Sequence, residues 1–326
     1  MKKLLSKLTI YFLILAGLQI GLYFVFPQYI KAPEEVLSLR KALSEKTNII
    51  YFGDSTLITT SAGDTDKRSI DTMLFSIMPQ YSIQPIIHSS YHQDLFAKFS
   101  SIIARKNKNK FVIIPINMRS FAAAWDQNSS YQFREHVLYL ENYYNPFVYP
   151  FLPFLVNFHY FNLYPEVPSN PDVYLCKPGY ENILKEANNP ANKNDFDTRM
   201  KGFLIDDYLY IFPENHRKLT SILSSADSFK NSDVTPIFYF TPIDFKTGEK
   251  YLGKEFTECL KKNTDLVVSK LKEKNVIVLD LSVSQDSKDF SWQNIGFINE
   301  HLSESGRMFV AQSLKNAIMS YSNEHN

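Results

Sequence analysis

The sequence predicts an α/β protein in which a parallel sheet is covered by helices on both faces. Five short apolar runs have the character of buried strands, at positions 48–52, 82–87, 110–116, 234–240 and 275–281. Stretches with helical periodicity separate them, near 69–78, 93–106, 213–230, 253–273 and 303–321. Strands that alternate with helices at this spacing are typical of a buried parallel sheet.

The composition excludes several classes of protein. Hydrophobic residues make up 44% of the 326 residues and charged residues 21%, a balance that supports a sizeable core. A net charge of +1 gives no overall field that favours nucleic acid as a partner. Cys176 and Cys259 lack the spacing of a zinc site, and nothing implies a metal or a dissociable cofactor. The two cysteines either form one disulfide or stay separate buried thiols, and we favour the separate thiols.

The N-terminus predicts a membrane anchor. Three lysines within the first seven residues precede an uncharged, largely apolar run over positions 8–26. As a helix this run is about 28 Å long, close to the thickness of a bilayer's hydrocarbon core. Basic residues on its N-terminal side keep that end in the cytoplasm. We therefore expect an anchor within 1–30 that holds an exported domain, 31–326, at a bacterial cytoplasmic or inner membrane. The alternative is a cleavable signal peptide, which is usually shorter in its apolar part.

The alternation of strands and helices breaks in an aromatic-rich interval, which we interpret as an insertion at about 118–212. Tyrosine and phenylalanine crowd positions 143–161, and two segments, 132–143 and 195–210, have helical character. The insertion is either a lid or substrate platform at the catalytic edge of the sheet, or a satellite packing cluster. Aromatic runs are more often found in cores.

A Gly-Asp-Ser tripeptide follows the first predicted strand. Gly53 and Asp54 place Ser55 at the carboxyl end of that strand, where a helix begins. Ligands bind at this edge in open α/β sheets, and the N–H groups that open a helix can stabilise an oxyanion. Ser55 is therefore the candidate nucleophile, with its own backbone N–H as a candidate oxyanion donor.

Two further segments supply the groups that a serine nucleophile needs. His301 lies in a loop that leads into the last predicted helix, and histidine is the usual base for a serine hydroxyl. Asn299 lies two residues earlier, where an orienting carboxylate is expected. Asn117 follows the third strand, where its amide either points at the oxyanion or caps a loop.

Ser55, Asn117 and His301 resemble three of the four sequence blocks of the SGNH hydrolases, also called GDSL esterases. This resemblance implies a three-layer α/β/α sandwich with a five-stranded parallel sheet, in which these residues are nucleophile, oxyanion donor and base. The second-block glycine is absent, so a backbone N–H of Ser90 or Tyr91 would complete the oxyanion hole.

The aspartate that precedes the catalytic histidine in this family is also absent, since Asn299 is an amide. Either Glu300 or a distant carboxylate takes its role, or a Ser–His dyad operates, or catalysis is impaired.

The predicted export resembles that of envelope proteins which move acyl groups onto polysaccharides, commonly beside a membrane-bound O-acyltransferase. By this resemblance Ser55 accepts an acyl group, expected to be acetyl, and a glycan hydroxyl deprotonated by His301 removes it. A carbohydrate esterase or lipase, with water as acceptor, is the first alternative. A non-catalytic scaffold of an acylation complex is the second. The expected partners are the membrane, an envelope glycan and the membrane-bound acyltransferase.

Overall fold

In a computed structural model, the chain is described at residues 2–25, 32–45, 47–106, 109–123, 125, 128–149, 152–157, 174–291 and 300–325. It divides into two compact units. The first comprises Met1–Leu37 and Phe133–Val167, and the second comprises Ser38–Gln132 and Pro168–Asn326. The residues predicted as one insertion at 118–212 are therefore divided between the two units.

The five predicted strands and the predicted helices occur in the expected order, and further short helices and two two-residue strands lie among them. The helices are α1 (Lys2–Val25), α2 (Glu34–Ser44), α3 (Ser55–Ile58), α4 (Ile70–Ile77), α5 (Gln93–Lys106), α6 (Arg134–Glu141), α7 (Leu152–Asn157), α8 (Tyr180–Ala187), α9 (Phe196–Tyr208), α10 (Arg217–Phe229), α11 (Phe245–Leu252), α12 (Glu255–Lys272) and α13 (Glu304–His325). The strands are β1 (Ile49–Gly53), β2 (Ile83–Ile87), β3 (Phe111–Ile116), β4 (Tyr174–Leu175), β5 (Tyr210–Ile211), β6 (Thr235–Phe240) and β7 (Ile277–Leu279).

The structure does not support the transmembrane helix predicted over positions 8–26. Most of that run belongs to α1, and position 26 lies outside the described residues. Among the described residues, no helix combines the length and the apolar character that crossing a membrane requires.

The predicted five-stranded parallel sheet is confirmed. Its strand order is β2-β1-β3-β6-β7, and every neighbouring pair is parallel. β1 pairs with β2 on one side and β3 on the other, with Ile49 opposite both Ile83 and Phe111. The carboxyl ends of β1, β2 and β3 therefore meet at one edge, which brings the segments after Gly53, Ile87 and Ile116 together.

Helices cover both faces of the sheet because side chains alternate along each strand. Tyr51 faces a buried cluster formed with α4 and α13, where its hydroxyl donates to that of Tyr239 at 2.9 Å. Phe52 faces the opposite layer, where it stacks on Phe96 of α5 with ring centroids 5.2 Å apart. The second unit is thus the three-layer α/β/α arrangement that the family resemblance implies.

An ion pair ties the start of α13 to the loop that follows α3. The Arg307 Nη1 lies 2.7 Å from Asp64 Oδ2, and both side chains are buried. Glu304 reinforces the tie, because its Oε2 accepts the backbone N–H groups of Thr65 at 3.0 Å and Asp66 at 2.8 Å. Buried charges of this kind are tolerated only when paired. The loop after Ser55 and the helix after His301 are consequently fixed to each other.

The interpretation of Cys176 and Cys259 as separate thiols is wrong, because the two form a disulfide. Their Cα atoms are 6.2 Å apart, within the range that the bond permits. The tertiary structure brings them together. The N–H of Cys176 donates to Leu209 O at 3.0 Å, and Asn263 of α12 donates its amide to Tyr210 O at 2.6 Å.

We expect the double substitution Cys176→Ser, Cys259→Ser to lower the free energy of unfolding by about 2–4 kcal/mol, because the bond closes a long loop of the unfolded chain. Urea unfolding followed by far-UV circular dichroism measures the loss. Wild-type protein in reductant is the control, and its free energy of unfolding should approach that of the variant. Equal unfolding midpoints for oxidised and reduced wild type would contradict the role of the bond.

Candidate active site

Ser55 lies where β1 turns into the single-turn helix α3. Asp54 caps this helix, its Oδ1 accepting the backbone N–H of Thr56 at 2.8 Å. Gly53 favours close packing, since a Cβ there would lie 3.1 Å from Leu57 Cβ and 3.3 Å from Ile87 Cγ1, which is tighter than usual. The N–H groups of a first turn have no partner inside the helix. The turn therefore places the candidate nucleophile Ser55 and its own backbone N–H at the carboxyl edge of the sheet, while the N–H of Thr56 is taken by Asp54.

The structure brings His301 and Ser55 together, with Nε2 of the imidazole 3.1 Å from Oγ of the serine. Backbone contacts hold the histidine loop, as Ser291 N–H donates to His301 O at 2.8 Å and Ser303 N–H donates to Asp289 O at 2.9 Å. Gly306 permits this approach, because a Cβ there would lie 2.3 Å from Asp289 O. The distance is within the reach required for proton transfer between a base and a hydroxyl.

Asn117 caps a 3₁₀ turn and bridges two carboxylates, which is not the oxyanion role that the resemblance implies. Its Nδ2 donates to Asp54 Oδ2 at 3.0 Å and to Glu300 Oε1 at 3.1 Å. Its Oδ1 accepts the N–H of Arg119 at 3.1 Å. An amide group has two hydrogens to donate, and both are directed at these acids. The loop-capping alternative describes Asn117 better.

Ser90 lies in the loop that follows β2, beside the turn that carries Ser55. The N–H of His88 donates to Gly53 O at 3.3 Å, and the N–H of Tyr91 donates to His88 O at 3.1 Å. Ser90 has a φ of 67°, in the left-handed region that favours glycine. This is the segment in which the SGNH hydrolases, which the sequence resembles, carry their second-block glycine. The use of its N–H as an oxyanion donor stays a prediction.

Glu300 is the carboxylate nearest to His301 along the chain, while Asn299 lies outside the described residues. Its side chain is buried, and its Oε2 accepts the Tyr208 hydroxyl at 2.8 Å. Burial by itself raises the pKa of Glu300. The charges of Arg119 and His301 and the hydrogen bonds from Asn117 and Tyr208 outweigh it and lower that pKa. A buried anion thus adjoins the imidazole.

Arg119 is a cation of this network that sequence reasoning did not single out. Its Nη1 lies 3.6 Å from Glu300 Oε1, its Nε lies 2.9 Å from Asp207 Oδ2, and its guanidinium covers the Phe203 ring at 5.1 Å. Burial raises the pKa of Asp207 to about 7 despite the ion pair. The only sequence signals were the position of Arg119 two residues after Asn117 and an acidic pair, Asp206 and Asp207, within a predicted helix.

Comparisons with known proteins give weak likenesses to esterases. No protein-family model matches the chain, and no curated protein matches its sequence. An acetylxylan esterase from Geobacillus stearothermophilus is 13% identical, with 83% of this chain and 94% of that chain covered and a TM-score of 0.40. An α/β hydrolase from the metagenome of Lake Arreo, Spain, is 11% identical, with 83% and 94% covered and a TM-score of 0.36. An inhibitor-bound aryl esterase from M. smegmatis is 10% identical, with 84% and 99% covered and a TM-score of 0.35. Likenesses this low carry no argument about activity, which rests on the site residues.

The raised pKa of Asp207 predicts a pH dependence of stability. An acid whose pKa is about 7 when folded, against about 3.9 when unfolded, binds more protons in the folded state between those values. Its contribution to stability is therefore lost as pH rises from about 4 to 7. We expect Asp207→Asn to become more stable relative to wild type between pH 5 and pH 8, as measured by urea unfolding.

The exposed substitution Asp265→Asn controls for the general effect of removing one negative charge. A stability difference between Asp207→Asn and wild type that stays constant over this pH range would show that the Asp207 carboxyl does not titrate there.

Proposed function

We propose that this chain is a serine-dependent O-acyl transfer enzyme, with Ser55 carrying the acyl group, expected to be acetyl, to a hydroxyl of a cell-envelope polysaccharide. The observation that carries this proposal is the 3.1 Å approach of His301 Nε2 to Ser55 Oγ. A serine hydroxyl becomes a nucleophile when a positioned base takes its proton. With water as the acceptor, the same site hydrolyses an O-acyl ester of a carbohydrate.

The reaction has two halves that use the same pair of side chains. In the first, Ser55 Oγ attacks the acyl carbonyl as its proton passes to His301 Nε2, which then protonates the departing oxygen. An ester of Ser55 remains. In the second, His301 takes the proton of the acceptor hydroxyl, the acceptor oxygen attacks the ester carbonyl, and Ser55 Oγ leaves with the proton.

Glu300 acts as a positioning residue in this scheme. Each time His301 takes a proton it becomes a cation, and a nearby buried anion stabilises that cation. The hydrogen bonds of Glu300 go to Asn117 and Tyr208, so its contribution is its charge. Backbone N–H groups of Ser55 and Ser90 are the proposed oxyanion donors, since the amide of Asn117 is directed at carboxylates.

The disulfide supports an extracytoplasmic location, because such bonds persist in oxidising compartments. There the acceptor would be an envelope glycan and the acyl donor would arrive through a membrane-bound O-acyltransferase. The carbohydrate esterase remains the second candidate, because chemistry up to the acyl-enzyme is common to both. Two departures from the SGNH pattern, the amide at Asn299 and the missing second-block glycine, favour the third candidate function, a scaffold without activity.

The test begins with labelling of the full-length protein by a fluorophosphonate and turnover of 4-nitrophenyl acetate. We expect label on Ser55, and turnover lower by about 1000-fold or more in Ser55→Ala and His301→Ala. Ser76→Ala, which removes a hydroxyl that bonds within α4, is the matched control and should label normally. A wild-type chain that neither labels nor turns over would overturn the enzymatic proposal in favour of the scaffold.

The two enzymatic alternatives differ in where the acyl group goes. An acetyl donor is supplied together with envelope polysaccharides, and acetylated sugar is measured against free acetate. Transfer predicts that acetylated sugar forms faster than acetate in the presence of the acceptor. Acetate as the dominant product with every acceptor would assign the chain as an esterase.

We expect Glu300→Gln to lower kcat/KM for 4-nitrophenyl acetate by about 10-fold or more and to move the acidic limb of its pH profile to lower pH. The glutamine keeps an acceptor for Asn117, and its NH2 group can donate to the Tyr208 hydroxyl, but it removes the charge that favours the imidazolium. Glu300→Asp, which keeps the charge, is the comparison and should preserve the position of that limb. If both variants lose activity with the same unshifted profile, Glu300 is a packing residue only.

A further inference from the structure

A cavity of about 270 Å³ lies between α8 and α9, outside the Ser–His site. The two helices approach closely at one point, where a Cβ on Gly202 would lie 2.2 Å from Ala187 Cβ. The cavity is lined by Leu184, Ala187, Asn188, Arg199, Gly202, Phe203 and Asp206. All of these residues belong to the second compact unit.

The lining combines an aromatic and aliphatic surface with three polar side chains of different kinds. Phe203, Leu184 and Ala187 supply the apolar part. Arg199 supplies donors, Asp206 supplies acceptors, and the Asn188 amide supplies both. Arg199 Nη1 also donates to Lys193 O at 3.1 Å, which holds the guanidinium in place.

A sugar ring matches this lining. One face of a pyranose presents C–H groups that pack on an aromatic ring, and its rim carries hydroxyls that both donate and accept hydrogen bonds. A phosphate would face the Asp206 carboxylate, and an acyl chain would cover Asn188 and Asp206 without offering either a hydrogen bond. Burial raises the pKa of Asp206, and the charge of Arg119 acts in the opposite direction. A sugar hydroxyl that donates to this carboxylate would stabilise its charged form.

The side chain of Phe203 connects the cavity to the network around the Ser–His pair. Phe203 lines it and also packs against the guanidinium of Arg119 at 5.1 Å. Arg119 in turn contacts Glu300 at 3.6 Å, and Glu300 directly precedes His301. A ligand on the cavity side of Phe203 would therefore be separated from Arg119 by the Phe203 ring. Arg119 is the cation that balances the charge of the buried Glu300.

We propose that this cavity is a subsite for one neutral sugar residue of the polysaccharide that the enzyme acylates or deacylates. The inference rests on the proposed function for the identity of that polymer. Binding of the sugar itself follows from the lining alone, and so it can be measured without catalysis.

The test is calorimetric titration of the full-length Ser55→Ala protein with two neutral probes, xylohexaose and chitohexaose. We expect Asn188→Trp, added to the Ser55→Ala protein, to lower the affinity for whichever hexaose binds by about 10-fold or more. The indole fills the cavity and removes one amide that serves as donor and acceptor. Asn182→Trp is the matched control, because Asn182 is an exposed asparagine of α8 that does not line the cavity.

With Ser55 present, acetylated xylohexaose is compared with 4-nitrophenyl acetate, which has no sugar. Asn188→Trp should lower the ratio of kcat/KM for the oligosaccharide to that for the small ester by about 10-fold. Binding that is lost in Asn188→Trp without any turnover by wild type would sink the proposed function and keep the subsite. Failure of both hexaoses to bind, or equal effects of the two tryptophans, would remove the subsite even if the enzyme is active.

Discussion

The site depends on a single buried amide. Asn117 Nδ2 joins Asp54, which caps the turn that carries Ser55, to Glu300, which precedes His301. A hydrogen bond to a charged group contributes about 1.5–3 kcal/mol, and a buried carboxylate without its donor is costly. The amide therefore connects the nucleophile segment to the base segment at the end of β3. The Arg307–Asp64 ion pair makes a second connection between the same two segments, farther from the chemistry.

Two acids that share one amide have different electrostatic surroundings. Burial and the charge of Glu300 raise the pKa of Asp54, although its hydrogen bonds with Thr56 and Asn117 act in the opposite direction. Glu300 has Arg119 beside it, and its pKa is lowered. These surroundings favour the charged form of Glu300 and disfavour that of Asp54. An uncharged Asn299 is compatible with a base site because this charge is present from another position.

The strands, their order of appearance and the Ser–His pair could be predicted because each has a local signature. Ser55 follows the recognisable strand β1, and His301 precedes the recognisable helix α13. Parallel strands bring their carboxyl ends to one edge of the sheet. Arg119, Asp207 and the partners of Asn117 could not be predicted, because their roles come from contacts between segments far apart in the chain. The pairing of Cys176 with Cys259 was missed for the same reason, since it follows from how α12 packs beside β5.

The nucleophile and the base are 246 residues apart in sequence, and the base is fixed in place by the helix that follows it. Contacts of such long range form late, after most of the intervening chain has been ordered. A nascent chain emerging from the ribosome would already contain the serine turn while lacking the imidazole. The Ser55 hydroxyl would accordingly lack its imidazole partner during synthesis, and would meet it only when the last helix docks.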